Sequence, residues 1–156
     1  GSELAQKYPF ALLTSKSRYR LHSQLDSTAL NLFGNVEERE PVWIHPQAAE
    51  KLGLKTGDVA LVESRRGKVL AGVIVTDRIR PDTVVIHHGA WYCPEESGEE
   101  GSLDVHGCDN VLTIDIPASK LSCGNVANST LVRIRKYDED ELPEIYVHRQ
   151  PRTKSA

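Results

Sequence analysis

PVWIHPQAAEKLGLKTGDVALVES, residues 41–64, is the stretch that decides the fold, because it combines several local patterns in a fixed order. A short apolar β run, residues 41–46, ends at a proline. In residues 47–54, alanine and leucine recur at helical spacing and Gly53 stands where a left-handed C-cap belongs, which predicts a helix of about two turns. A glycine-containing turn then leads into a second strand from Val59.

The flanking sequence also has the pattern of short strands. Arg65-Arg66-Gly67 closes a hairpin onto a return strand, and Pro81 lies in the turn that precedes the next one. Strand-type runs occupy residues 10–17, 59–64, 68–79, 83–92, 110–118 and 130–137. About six or seven short strands with one or two short helices predict a mainly-β domain that closes into a barrel, because an open sheet would leave exposed edges.

Composition excludes several classes of function. The 156 residues carry a formal net charge of -3, with 39% hydrophobic and 26% charged residues, which is typical of one globular domain in water. A general nucleic-acid binder would show a basic surplus, and no apolar run reaches the roughly 20 residues that cross a bilayer. We therefore expect neither a nucleic-acid partner nor a membrane span. The three cysteines form no C-x-x-C pair, which argues against a disulfide framework and a structural zinc site.

The chain is expected to divide into a linker, a barrel and a strap. The opening Gly-Ser has the composition of a cloning remnant, so residues 1–7 are interpreted as a linker. Residues 8–137 are expected to hold the barrel. Residues 138–156 are charged and proline-containing, which favours a C-terminal strap in which Ile145 and Tyr146 dock, followed by a disordered tail.

Polar stretches follow or interrupt the apolar strands at residues 14–28, 87–92, 110 and 124–129. Loops from one rim of a barrel converge, so these stretches predict a rim that suits a heterocycle bearing phosphates: amides pair with ring edges, hydroxyls take phosphate oxygens and cations offset the charge. The candidate residues are Thr14, Ser15, Arg18, His22, Ser23, Gln24, Trp91, Tyr92, Asn110, Asn125 and Asn128. The competing interpretation is that they are ordinary turn residues, with the two aromatic side chains packed over the barrel mouth.

Catalytic and metal sites have less support in the sequence. His87 and His88, with His106, Cys93 and Cys108, are the residue types of a metal site, but adjacent histidines on a strand point to opposite faces and no ligand spacing appears. No nucleophile-elbow glycines surround Ser23, and the glycines form no phosphate loop. We therefore predict no catalytic residue and no metal ligand in this chain.

Several motifs taken together resemble one enzyme family. REPVWIHP, followed by GD, RG, RPD, GAWY and GNVANS, is similar to the C-terminal domain of the dimethyl sulfoxide reductase family, in the branch of the trimethylamine-N-oxide and biotin sulfoxide reductases. The likeness runs in order from Tyr8 to Tyr137. It implies a double-psi β-barrel that binds bis(molybdopterin guanine dinucleotide) carrying molybdenum or tungsten.

The resemblance also implies roles for residues at matching positions. The segment from Thr14 to Gln24 would run along the pterin and its phosphates, which assigns His22, Ser23 and Gln24 to the cofactor. The remaining assignments are Asn125 and Asn128 near a pterin, Trp91 and Tyr92 near the cofactor and the approach to the active site, and Asn110. The family's serine ligand to the metal belongs to an earlier domain, so the isolated chain is expected to be inactive.

The implied parent enzyme reduces N-oxides or S-oxides in anaerobic respiration. Its partners would be the catalytic domains of the same parent chain and a cytochrome electron donor, and its expected location is the periplasm. One alternative is a protein-binding barrel like the N-terminal domains of certain AAA ATPases, and another is a stand-alone barrel subunit of a molybdenum or tungsten enzyme. A pyruvoyl-dependent aspartate decarboxylase, which self-cleaves at a Gly-Ser bond, is disfavoured because Gly101-Ser102 lies in an acidic loop without strand context.

Overall fold

A computed structural model describes residues 2–149 of the chain. The strands are β1 Phe10–Leu13, β2 Pro41–Ile44, β3 Val59–Glu63, β4 Lys68–Val75, β5 Thr83–Ile86 and β6 Leu131–Lys136. The α-helices are α1 Glu3–Lys7, α2 Ala29–Gly34 and α3 Pro46–Leu52, and two 3-10 turns occupy Asp109–Val111 and Ala127–Ser129. None of the helices within residues 2–149 has the length and hydrophobicity needed to span a bilayer.

The six strands form a closed barrel in the order β1-β5-β2-β4-β3-β6, with β6 returning to β1. The pairs β1/β5 and β2/β4 are parallel, and the other pairs are antiparallel. Closure satisfies the backbone N–H and C=O groups that an open sheet would expose at its edges. The predicted mainly-β barrel with few short helices is confirmed.

The helix predicted after β2 is also confirmed. His45 is its N-cap, with Nδ1 accepting the backbone N–H of Gln47 at 3.2 Å. Gly53 ends the helix with φ of +66° and donates its N–H to the carbonyls of the last turn. Ala48 and Ala49 lie on the buried face, so the short helix closes one end of the apolar core.

The core has two layers, and β3 contributes to both. Ala60 and Val62 point into the barrel, whereas Val59 and Leu61 belong to a second apolar cluster on the outside. All of β3 is buried, because residues 93–105 and 137–147 cover its outer face. The alternation in the sequence indicated a strand but could not show that both faces would be buried.

The strand predicted over residues 110–118 is wrong. Asp109–Val111 is a 3-10 turn, in which Leu112 and Thr113 donate their N–H groups back to the carbonyl of Asp109. Beyond it, the ladder is reduced to a single bridge between Pro117 and Asn125. Local hydrogen bonding therefore replaced the strand that the apolar pattern suggested.

Several strands also end at other residues than predicted. The first, fourth and fifth strands end earlier than predicted, and α2 was not predicted. Glycine at position 89, with φ of +107°, redirects the chain shortly after β5 ends at Ile86. The predicted linker contains α1, and its Ser2 Oγ accepts the N–H of Ala5 at 3.3 Å. The predicted disordered tail lies mainly in residues 150–156, outside the described residues.

Candidate functional site

A cleft of about 550 Å³ opens at one rim of the barrel, where loops distant in sequence meet. Predicted residues that line it are Thr14, His22, Ser23, Trp91, Tyr92, Asn110 and Asn125. His88, Gly89, Ala90, Cys108, Asp109 and Ala127 complete the wall. The rim thus gathers hydroxyl, amide and imidazole groups beside two aromatic rings, which is the arrangement that the sequence analysis predicted.

Asn128 adjoins the cleft and joins two of its walls. Its side-chain oxygen accepts the backbone N–H of Thr14 at 2.9 Å, so the chain just after β1 is tied to the 3-10 turn before β6. The same oxygen lies 3.4 Å from the hydroxyl of Thr14. Asn128 therefore fixes the position of the cleft wall as well as lying beside it.

Three predicted residues lie elsewhere. The Ser15 hydroxyl lies 2.9 Å from Nδ1 of His87 and does not line the cleft. Arg18 lines a different cavity of about 330 Å³, where its guanidinium stacks over the ring of Tyr19. Gln24 is exposed and exchanges backbone hydrogen bonds with Leu21. The assignment of these three residues to a cofactor remains a prediction from the family resemblance.

The polar stretch of residues 14–28, which links β1 to α2 and is called the crossing here, touches the loop after β5 at backbone level. Gly89 has φ of +107°, and a Cβ there would lie 2.1 Å from the carbonyl oxygen of His22. His22 itself adopts a left-handed φ of 54°. Only glycine allows this approach, so the glycine of the GAWY segment is needed to bring the two walls of the cleft together.

Trp91 is held at the cleft by three hydrogen bonds. Its indole N–H donates to the carbonyl of Ser23 at 2.7 Å. Its backbone N–H donates to Oδ2 of Asp26 at 3.2 Å, and its carbonyl lies 2.9 Å from Nδ1 of His106. The ring is thus fixed in direction while 39% of the residue surface stays exposed.

A buried ion network supports the crossing from beneath. The guanidinium of Arg20 contacts Glu40 at 2.5 Å and Asp26 at 3.3 Å, and it donates to the carbonyls of His87 and His88 at 3.0 Å each. Burial raises the pKa of Glu40 to about 7, and the positive charge of Arg20 only partly opposes this shift. One cation therefore holds both the crossing and the loop after β5.

Asp109 is the acidic residue of the cleft wall. Its Oδ1 is buried and has no hydrogen-bond partner among residues 2–149. Burial raises the pKa of this carboxyl, opposed by a hydrogen bond from the backbone of Gly89. Asp109 thus combines a place in the cleft wall with a buried acceptor that has no donor among residues 2–149.

A second polar cluster lies behind Trp91. Asp26, His106 and His148 place ligand-type atoms within 4.8 Å of one another, with His148 Nε2 at 2.7 Å from Asp26 Oδ2. Burial lowers the pKa of His106, which favours its neutral form. The sequence did not predict this cluster, because its members are separated by many tens of residues and follow no spacing rule. Two further residues of the cleft wall could have been found from the sequence. Gly89 is the glycine of the GAWY segment, and Asp109 lies in the CDN segment at the start of a 3-10 turn.

Comparison with known proteins identifies relatives. The chain is 47% identical over 153 residues to trimethylamine-N-oxide reductase of Haemophilus influenzae, and 40% identical over 131 residues to dimethyl sulfoxide/trimethylamine N-oxide reductase of Cereibacter sphaeroides. These matches cover 97% and 84% of this chain but only 18% and 16% of the relatives. The chain therefore spans less than a fifth of the length of these relatives.

A solved structure and a family match complete the comparison. Acetylene hydratase from Pelobacter acetylenicus has a similar fold, with a TM-score of 0.67 at 23% identity over 86% of this chain and 19% of that chain. The family described as molydopterin dinucleotide binding domain matches residues 10–131, which is most of the barrel. The chain belongs to the molydopterin dinucleotide binding domain family.

Proposed function

We propose that this chain is the cofactor-binding domain of a larger oxidoreductase and that its rim cleft holds part of a bis(molybdopterin guanine dinucleotide) carrying molybdenum or tungsten. The observation that carries the proposal is the convergence of Thr14, Ser23, Asn110 and Asn125 beside the ring of Trp91 in one cleft. Hydroxyls, amides and an aromatic face are the groups that recognise a heterocycle with phosphates.

The hydrogen-bond acceptors of the cleft fit a pterin or guanine. Both rings share an edge on which an amino group and a neighbouring ring N–H donate side by side. The unpartnered Oδ1 of Asp109 is a buried acceptor in the cleft wall, and the side-chain oxygens of Asn110 and Asn125 add further acceptors. Adenine lacks this pair of donors, so the cleft is expected to prefer guanine.

The hydroxyl groups of the cleft fit the phosphates. Thr14 and Ser23 supply hydroxyl donors, and His22 lies 3.2 Å from the ammonium group of Lys16 through its Nε2. Lys16 itself lines the other cavity, so His22 is the group of the cleft wall that brings this positive charge near a bound diphosphate. We therefore assign the phosphates to the crossing and the rings to the wall formed by Trp91 and Asp109.

In the whole enzyme, the bound cofactor supplies the two-electron chemistry that removes oxygen from an N-oxide or S-oxide. This chain's share is to bind and orient the dinucleotide and to keep water from it. The metal's protein ligand and the catalytic residues belong to other domains of the parent chain, and a cytochrome is the proposed electron donor. We also propose a periplasmic location and a role in anaerobic respiration, on the basis of the family resemblance.

The catalytic domains of the parent chain are the proposed partner of α2. This helix is inverted relative to an ordinary surface helix, because its buried residue is Asn31 whereas Leu30 and Phe33 are 59% and 84% exposed. Exposed apolar side chains of this size mark a surface that another surface covers. A protein-binding module would use the same helix, but it would have no need for the polar cleft.

The test is a calorimetric titration of the chain with guanosine diphosphate and, separately, adenosine diphosphate. We expect weak binding, because the rest of the cofactor cradle lies outside this domain, with guanosine preferred. Replacing Asn125 by leucine should abolish binding, whereas Asn35→Leu, on the wall of the other cavity, should not change it. Equal affinity for the two nucleotides, or binding unaffected by Asn125→Leu, would contradict the proposal.

A further inference from the structure

The C-terminal strap, residues 138–149, follows the region that the family match covers, yet it packs behind the cleft. Ile145 is buried in the outer apolar cluster together with Cys93. The hydroxyl of Tyr146 donates to the carbonyl of Pro94 at 2.7 Å. These contacts anchor the strap to the segment that directly follows the aromatic residues of the cleft.

His148, near the end of the strap, touches both residues that hold the backbone of Trp91. Its Nε2 lies 2.7 Å from Oδ2 of Asp26, the oxygen that also accepts the N–H of Trp91. The ring of His148 meets two others edge-on, with centroids 5.6 Å from Trp91 and 4.7 Å from His106. Since His106 bonds the carbonyl of Trp91, both backbone polar groups of that residue depend on neighbours of His148.

His148 and the backbone N–H of Trp91 share one oxygen of the Asp26 carboxylate, Oδ2. Asp26 is fully buried and shares its only guanidinium neighbour within residues 2–149, Arg20, with Glu40. A carboxylate accepts hydrogen bonds, so we assign the donor in this pair to the N–H of His148. Without it, a buried oxygen would lose a partner, and a shift of Asp26 would carry the backbone of Trp91 with it.

We propose that His148 is a positioning residue of the cleft: through Asp26 it fixes the direction of the Trp91 ring, so that the C-terminal strap is part of the binding site. The inference rests on the proposed function for the identity of the ligand, whereas the contacts that carry it belong to the chain alone. Asp26, His106 and His148 are also metal-ligand types. Both oxygens of Asp26 are already bonded and Arg20 supplies positive charge, so we assign the cluster to hydrogen bonding.

The test compares the indole N–H resonances of Trp91 and Trp43 in the full chain labelled with ¹⁵N, assigned through Trp43→Phe. His148→Leu should displace the Trp91 resonance and leave Trp43 in place. His148→Gln, whose amide can present an N–H to Asp26, should restore it. Arg149→Leu, a change at the neighbouring exposed residue, should move neither resonance. An undisturbed Trp91 resonance in His148→Leu, or an equal displacement in Arg149→Leu, would overturn the proposal.

Two further measurements cover the remaining cases. If His148→Leu fails to fold, the imidazole nitrogen spectra of the unmodified chain test the proposal instead. We expect a slowly exchanging N–H at Nε2 of His148. Exchange as fast as in a free imidazole would overturn the proposal.

With guanosine diphosphate as the probe, His148→Leu should bind about tenfold more weakly, the lower end of the range for a hydrogen bond to a charged group. Unchanged affinity despite a displaced Trp91 would overturn the positioning role. If the unmodified chain binds no guanosine diphosphate, the proposed function fails, and the resonance comparison still tests His148.

Discussion

The side-chain oxygen of Asn128 accepts the backbone N–H of Thr14 at 2.9 Å, which joins the ends of β1 and of the turn before β6 across 114 positions of sequence. This bond closes one corner of the cleft. It uses the first backbone donor after β1, which would otherwise be left without a ladder partner. Asn128 thus contributes to the barrel and to the site at the same position.

Replacing Asn128 by alanine should lower the free energy of unfolding by about 1 kcal/mol, the usual net value of one hydrogen bond, and should weaken nucleotide binding. Asn128→Asp keeps the acceptor oxygen and should retain most of the stability. Urea unfolding of the variants measures the difference. Equal losses in both variants would show that the bond to Thr14 is not what stabilises this corner.

Gly89→Ala should destabilise the chain more than Gly98→Ala. Both glycines have positive φ, so both substitutions carry the same kind of backbone strain. A Cβ at Gly89 would lie 2.1 Å from the carbonyl of His22, whereas a Cβ at Gly98 meets nothing within 4 Å. We expect an additional loss of about 1–3 kcal/mol for Gly89→Ala, the range for overpacking. Thermal denaturation with equal midpoints for the two variants would refute the close approach.

Glu40 should make stability fall as pH rises from 4.5 to about 7. Burial raises its pKa to about 7 in the folded chain, so between these values the folded state binds more protons than the unfolded state. Glu40→Gln should remove this part of the pH dependence, and Glu50→Gln, at an exposed position of α3, should not. Urea midpoints measured across the window test the difference. A stability that rises more steeply in the unmodified chain than in Glu40→Gln would have the wrong sign.

Of the cysteines, Cys123 alone should react with a maleimide reagent in the folded chain. Cys123 is exposed, whereas Cys93 and Cys108 are buried. Burial raises the pKa of both buried thiols, that of Cys108 to about 12, so neither forms the reactive thiolate near neutral pH. Mass spectrometry should find a single adduct, none in Cys123→Ser, and labelling at every cysteine after denaturation. Rapid labelling of Cys108 in the folded chain would show that the cleft wall is open.

Local signals predicted the parts of the fold that local chemistry determines. The helix after β2 was predicted from the apolar spacing and from Gly53, because a single glycine is enough to indicate a left-handed C-cap. The strand expected over residues 110–118 did not form, because the backbone of Asp109 captures the donors that a ladder would use. Both faces of β3 are buried for a reason that its own sequence does not contain, namely the cover supplied by residues 93–105 and by the strap.

The site was also predictable only in part: the sequence indicated the rim but not the contacts between residues distant in sequence. Polar residues after strands indicated a rim, and barrel closure brought most of them together. Arg18 points instead to the other cavity, because the crossing turns between Arg18 and His22 through the buried Arg20. The roles of Asp26 and His148 arise from contacts over 122 positions, which no spacing rule encodes.

The most direct test of the central claim is a map of backbone and side-chain amide resonances of the ¹⁵N-labelled chain during titration with guanosine diphosphate. Because the domain supplies only part of the cradle, we predict fast-exchange shifts at high ligand concentration. The shifts should centre on Ser23, Trp91, Asn110 and Asn125, and should leave Arg18 and the strap residue Glu144 unaffected. Shifts that centre on the cavity around Arg18, or none at saturating nucleotide, would contradict the claim that the rim cleft binds the dinucleotide.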